Sequence, residues 1–151
     1  MRMAALRIFA LDVGSKSPAY ASRLKRRGAV VGLRIESASR RLAYFPGLTA
    51  ITTDIEAFVD GCDCLLLDGT FWSEREMVSL GLTKRTATNM GHIPIQGRTG
   101  SLHWLRTLKI PRKIYIHVNN TNPILRKTSR ERRFVQRAGV EVAYDGMEIR
   151  L

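Results

Sequence analysis

CDCLLLDGTFW, residues 62–72, sets a short apolar run directly against a carboxylate, a glycine and a hydroxyl. Cys62–Leu67 is too short for a helix and reads as a buried strand, with Asp68 standing where that strand ends. A second run of the same kind lies downstream. Lys113–Val118 (KIYIHV) carries His117 near its end and passes into NNTNP. Helix signals lie around these two strands. Thr53 with Glu56, Ser73 with Glu76 and Thr128 with Glu131 each fit the S/T-x-x-E capping box, in which side chains satisfy the free N–H groups of a helix start. Ser101–Leu108 reads as a fourth helix.

Upstream, Leu6–Leu11, Ala29–Glu36 and Arg41–Phe45 read as strands, the last stopped by Pro46-Gly47. A connection over Gly14–Arg27, rich in Ser, Pro and basic residues, joins the first two. Downstream, Val140–Tyr144 reads as a strand, and Asp145-Gly146 is a hairpin signal before a last strand over Met147–Leu151. The expected order is β, β, β, α, β, α, α, β, α, β, β. Helices alternating with apolar strands mean α/β layering, in one domain spanning residues 1–151.

The chain has 151 residues, 44% hydrophobic and 25% charged, which excludes disordered, collagen-like and coiled-coil classes. Its longest unbroken leucine run is Leu65-Leu66-Leu67, far short of a bilayer span, so no membrane insertion is expected. Arg7 and Asp12 interrupt the apolar N-terminal run, which argues against a signal peptide and for a cytoplasmic protein. Cys62 and Cys64 are the two cysteines; a C-x-C pair on one strand is poorly placed for an unstrained disulfide and reads as a core feature. Net charge is +12, which attracts anionic partners. The basic residues cluster early, including Arg23, Lys25, Arg26 and Arg27, and late, including Arg130, Arg132 and Arg133. Without interleaved aromatics these clusters read first as solvated faces.

Ligand-type side chains appear where strands and turns meet. Asp68 and His117 would share the carboxyl edge of the sheet, where α/β ligand sites gather. His92 lies in MGHIPI (90–95). Two imidazoles and a carboxylate suit non-haem iron or zinc and leave positions open. Bland readings stand beside each. Asp68 before Gly69-Thr70 also fits an Asx turn, His92 a turn histidine, and His117 a histidine held by a structural hydrogen bond. Asn119, Asn120 and Asn122 fit a turn before Pro123, and their amides could also face a substrate. His103 reads as an ordinary surface or interface side chain. No catalytic residue is assigned.

The same stretches, LLLDGTFW (65–72), MGHIPI (90–95), RKIYIHVNNTNPIL (112–125) and AGVEVAYDGMEI (138–149), resemble the pyrroloquinoline quinone (PQQ) biosynthesis protein B family. VGLRIES and RLAYFPGLTAI match upstream in order, and IFALDVGSKSPAY (8–20) fits loosely. The resemblance implies a metallo-β-lactamase-like αββα sandwich, of which this chain is the C-terminal half and therefore an incomplete domain. Asp68, His92 and His117 fall on the family's site motifs and imply one bound metal ion, iron ahead of zinc. Gly47 stands where the superfamily often has a metal-bridging aspartate, which argues against a dinuclear zinc hydrolase. The upstream H-x-H-x-D-H-like metal motif does not occur in this sequence.

What the resemblance implies is an iron-dependent hydroxylase of a tyrosine-derived, anionic PQQ precursor, impaired if the missing half is not supplied. Another chain or a second copy would then complete the domain by covering an apolar sheet face. The alternative is a carrier of PQQ or its precursor toward the periplasm. A nucleic-acid binder of the same superfamily ranks third, resting on net charge and on the RNA-processing members of that superfamily that the resemblance implies.

Overall fold

The computed structural model describes residues 5–14 and 28–151. The early basic cluster Arg23, Lys25, Arg26 and Arg27, and all of the expected Gly14–Arg27 connection except Gly14, lie outside the described residues. Six strands form a single sheet in sequence order. β1 (Arg7–Asp12), β2 (Val31–Glu36) and β3 (Arg41–Phe45) are an antiparallel meander. From β3 onward, β4 (Cys64–Asp68), β5 (Arg112–Ile116) and β6 (Glu141–Val142) run parallel. Parallel neighbours need crossovers. These are carried by α1 (Thr53–Val59), then α2 (Glu76–Ser79), α3 (Ala87–Met90) and α4 (Ser101–Thr107), then α5 (Arg130–Arg137).

Side chains alternate between the two faces of a strand, and the register sorts the sheet into unlike surfaces. One face carries Ala43, Phe45, Leu65, Leu67, Tyr115 and Val142, all buried with Ile55, Val59, Leu102, Leu105 and Val135 of the helices. Phe45 crosses β2 so closely that a methyl on Gly32 would meet its ring at 2.1 Å. The other face carries Leu33, Ile35, Leu42, Tyr44 and Leu66, all half-buried, while Ile8 is 65% exposed. Cys64 and Ile114 on this face are fully buried, so its open apolar surface is confined to the β1–β3 side and Leu66.

Ion pairs along the sheet occupy part of the excess basic charge. Buried Glu36 binds Arg7 at 3.0 Å and Arg34 at 2.9 Å, Arg40 holds Asp63, and Arg112 holds Glu141.

Several local expectations shift. The helix caps are Thr52, accepting from the Ile55 N–H, and Ser129, accepting from the Arg132 N–H. Each is the hydroxyl residue next to the one the pattern favoured. The Ser73 box does not cap a helix; its Glu76 is buried and accepts the Trp72 N–H at 2.6 Å. The short helix α3, capped by Thr86, was not legible in the pattern. Met147–Leu151 forms no strand. The Asp145-Gly146 signal does make a turn, closed by the Met147 N–H on the Tyr144 carbonyl at 3.1 Å. β6 is only two residues long, too short to seed a hairpin.

Candidate metal centre

The parallel run places the C-terminal ends of β3, β4, β5 and β6 at one edge of the sheet. Asp68 is the last residue of β4 and is 0% exposed. Its Oδ1 accepts the Thr70 N–H at 3.0 Å and lies 2.5 Å from the Thr70 hydroxyl oxygen. Its Oδ2 accepts the Leu48 N–H at 3.4 Å and lies 2.8 Å from His92 Nδ1. Glycine at position 69 lets the chain pass close against Tyr115; a methyl there would meet Tyr115 Cβ at 2.8 Å.

His92 is delivered by the end of α3. Gly91 takes a left-handed φ of 101°, which glycine adopts without steric cost. The His92 N–H then bonds the Ala87 carbonyl, and the Ile93 N–H bonds the Leu48 carbonyl beside the site. Phe71 sets its ring edge-on to the imidazole at 5.7 Å.

His117 follows β5 with φ 55°, the one non-glycine residue at positive φ among the described residues. Histidine is among the residue types enriched in that region, and the turn ends the strand while aiming the imidazole at Asp68. Its Nδ1 stands 3.9 Å from Asp68 Oδ1 and 2.8 Å from the Thr70 oxygen. The two imidazole rings are 5.3 Å apart.

Asp68, His92 and His117 each offer one ligand atom within 4.8 Å of the other two. A buried carboxylate is costly unless paired, and among the described residues its charged-type contacts are the two imidazoles. Burial pushes the Asp68 carboxyl up, but His117, His92 and Thr70 together outweigh it and hold the group below the usual carboxylate range. The Asp68 carboxylate beside His117 holds that imidazole above its usual value, against partial burial. Each group favours the charged form of its partner. The donor types and their convergence fit a zinc or iron ion, with further positions left for other ligands.

The turn contact expected of Asp68 is present in its bond to the Thr70 N–H, and the carboxylate that makes it also has the imidazoles as neighbours. The asparagines are placed differently from one another. Asn122 is 2% exposed; its amide donates to the Gly69 carbonyl at 2.9 Å and accepts from the Ile124 N–H. It braces the Asp68 turn from behind. Asn119 is half-buried and donates to Thr121 Oγ1 at 2.6 Å, whereas Asn120 is exposed. Thr70 was not singled out from the sequence; a hydroxyl two residues past a strand-ending aspartate is the signal that marks it. His103 lies exposed on α4, and both cysteines are buried and free. A methyl on Gly47 would sit 3.7 Å from the His92 ring, so the chain at that position borders the site without a carboxylate.

Two cavities flank the centre. One of about 530 Å³ opens beside His92 and His117 onto Leu33 and Tyr44 of the open sheet face. The other, about 720 Å³, lies against His117 with Lys127, Arg132 and Tyr144.

Comparison with known proteins places this geometry. A profile described as a beta-lactamase superfamily domain matches residues 1–118. Coenzyme PQQ synthesis protein B of Nitrosococcus oceani is 43% identical over 148 residues, 95% of this chain and 48% of the relative. That of Rhizobium meliloti is 47% identical over 121 residues, 80% of this chain and 40% of the relative. The crystal structure of zinc-bound PqqB from Methylobacterium extorquens superposes with a TM-score of 0.90 at 36% identity, covering 97% of this chain and 50% of that one. A diphosphatase of the PhnP family shares the fold alone, with a TM-score of 0.61 at 14% identity. The chain spans about half the length of the curated relatives it matches. By its sequence, its mixed sheet and the helices layered on it, the chain belongs to the beta-lactamase superfamily, and its likeness within that superfamily is to the PQQ synthesis B proteins.

Proposed function

We propose that this chain supplies one half of a mononuclear metal centre acting in PQQ biosynthesis, with Asp68, His92 and His117 as its share of the ligands. The observation that carries the reading is buried Asp68, converging with two imidazoles and contacted by no Lys or Arg among the described residues. Iron bound there would supply oxidative chemistry for hydroxylating a tyrosine-derived, anionic precursor: one oxygen atom of dioxygen would enter a C–H bond, and a two-electron donor with two protons would take the other to water.

The chain's own residues do the rest. Asp68 holds negative charge at the back of the site, and the two imidazoles present ring nitrogens to it. Lys127 borders the cavity against His117 and is exposed, so it can meet a precursor carboxylate with a charge-assisted bond. The open sheet face is where the complementary half, or a second copy, docks and roofs the neighbouring cavity. No helix among the described residues is long and apolar enough to cross a membrane, and we place the protein in the cytoplasm.

A carrier role is the second reading. It is favoured by the open side of the centre, where the His117 side chain is 56% exposed, because binding tolerates an incomplete ligand set.

Anaerobic reconstitution with iron(II) and with zinc, followed by metal analysis, tests the proposal. His117→Gly is the matched variant, since glycine tolerates the positive φ that alanine does not. Near-stoichiometric metal in the wild type, lost in His117→Gly, is expected. Absence of metal from the wild type refutes a site that Asp68, His92 and His117 hold without the complementary half. Retained iron with oxygen-dependent product formation selects the hydroxylase over the carrier.

A further inference from the structure

Thr70 Oγ1 has four polar neighbours. It lies 2.5 Å from Asp68 Oδ1, 2.8 Å from His117 Nδ1, 3.0 Å from the His117 carbonyl oxygen and 3.1 Å from His92 Nδ1. A hydroxyl has one proton to give and two lone pairs with which to accept. The carboxylate and the carbonyl can only accept. A contact of 2.5 Å between two oxygens needs a proton between them, and an ionised Asp68 has none to offer. The Thr70 proton therefore goes to Asp68 Oδ1. Having given it, Thr70 can only accept from His117 Nδ1, so that nitrogen carries a hydrogen.

We propose that Thr70 is a positioning residue of the metal centre, relaying the Asp68 carboxylate to His117 so that the imidazole is held as its Nδ1–H tautomer with Nε2 presented as the ligand atom. The relay is needed because His117 Nδ1 stands 3.9 Å from Asp68, too far for a direct hydrogen bond, whereas His92 reaches the carboxylate itself at 2.8 Å. The nitrogen that binds metal is set by the hydrogen bond the other nitrogen makes. Thr70 is 6% exposed, so water does not readily replace its hydroxyl. The assignment rests on the metal-centre reading above for its purpose, but the tautomer is a property of the metal-free chain.

The test has two arms on the full chain. Long-range ¹H–¹⁵N correlation spectra of the metal-free protein, at a pH where both imidazoles are neutral, report the His117 tautomer directly. The wild type is expected to show Nδ1–H; Thr70→Val is expected to lose that preference, and Thr70→Ser to restore it. In the second arm zinc affinity should fall about 10- to 100-fold in Thr70→Val and recover in Thr70→Ser. A wild-type His117 found as Nε2–H overturns the proposal without needing any variant. So does a Thr70→Val protein with unchanged tautomer and zinc affinity. If the tautomer follows Thr70 while the wild type takes up no zinc, the Thr70 relay stands and the metal reading falls.

Discussion

β4 has an aspartate at each end of its apolar run, and the two are satisfied by different chemistry. Asp63, just before the strand, faces solvent, takes the Arg40 guanidinium at 2.9 Å and accepts the Arg41 N–H at 2.8 Å. Asp68, at the other end, is 0% exposed and meets a hydroxyl, backbone N–H groups and two imidazoles. A fixed cation already answers the first carboxylate. The second is surrounded by groups that donate hydrogen bonds but carry no permanent charge, and two of them, the imidazoles, are metal-ligand types. The difference separates a carboxylate answered by a fixed cation from one that faces two imidazoles and, on the proposed function, an exchangeable metal, although both flank the same five-residue strand. The faces of β4 differ as its ends do, since Leu67 is buried under the helices and Leu66 looks onto the open surface.

The largest expected effect lies on the covered face. Leu67→Ala should lower unfolding free energy by about 2–5 kcal/mol, through lost transfer energy and a residual cavity. Leu66→Ala on the open face should cost about 1–2 kcal/mol, because less of that side chain leaves water on folding. Urea denaturation of the two variants measures the gap. Equal losses would mean that the open face is covered in solution.

Asp68→Asn comes next. It keeps the shape and removes the charge, so metal uptake should fall by more than about 100-fold, while the metal-free chain loses about 1–3 kcal/mol from poorly matched buried donors. Metal analysis and denaturation of the same preparations check both. A variant that retains metal would reduce Asp68 to a turn residue and erase the contrast with Asp63.

Cys64, between the two carboxylates, gives a smaller and purely local readout. Burial pushes its thiol up to about 11, with the Arg112 charge opposing. At pH 8 native Cys64 should therefore alkylate at least about tenfold more slowly than in urea, because the thiolate is the nucleophile. Rapid native alkylation would show that the start of β4 opens to solvent.

How much of this was legible in the sequence follows from the range of each interaction. The ends of β4 and β5 were readable because an apolar run stops at Asp68 or nears its end at His117, and strand ends define the ligand edge of an α/β sheet. Thr70 was not readable, since its hydroxyl gains meaning from groups 22 and 47 residues away. Asn122 offers the same amide as Asn119 and Asn120, yet packing commits it to the Gly69 carbonyl. The last strand failed for a related reason. Asp145-Gly146 supplies a turn, but a hairpin also needs two strands of useful length, and β6 supplies two residues. Capping signals located α1 and α5 to within a residue, because neighbouring hydroxyls compete for one cap and the buried positions Ile55, Val59 and Val135 select between them.

The smallest effect belongs to Asp63, and its sign separates it from Asp68. The Arg41 N–H and the Arg40 guanidinium hold its carboxyl below the ordinary value. A carboxyl depressed in the folded state adds stability that is fully present above its unfolded pKa, about 3.9, and disappears as pH falls through the folded pKa. The midpoint of thermal unfolding should therefore be slightly higher for wild type than for Asp63→Asn at pH 6, and the two should converge below about pH 3. The difference should shrink in high salt, because the Arg40 pair is open to solvent and screened. Metal uptake should be identical in the two proteins. If Asp63→Asn also lost metal, the two ends of β4 would be coupled through the strand, and the division between a structural and a metal-binding carboxylate would fail.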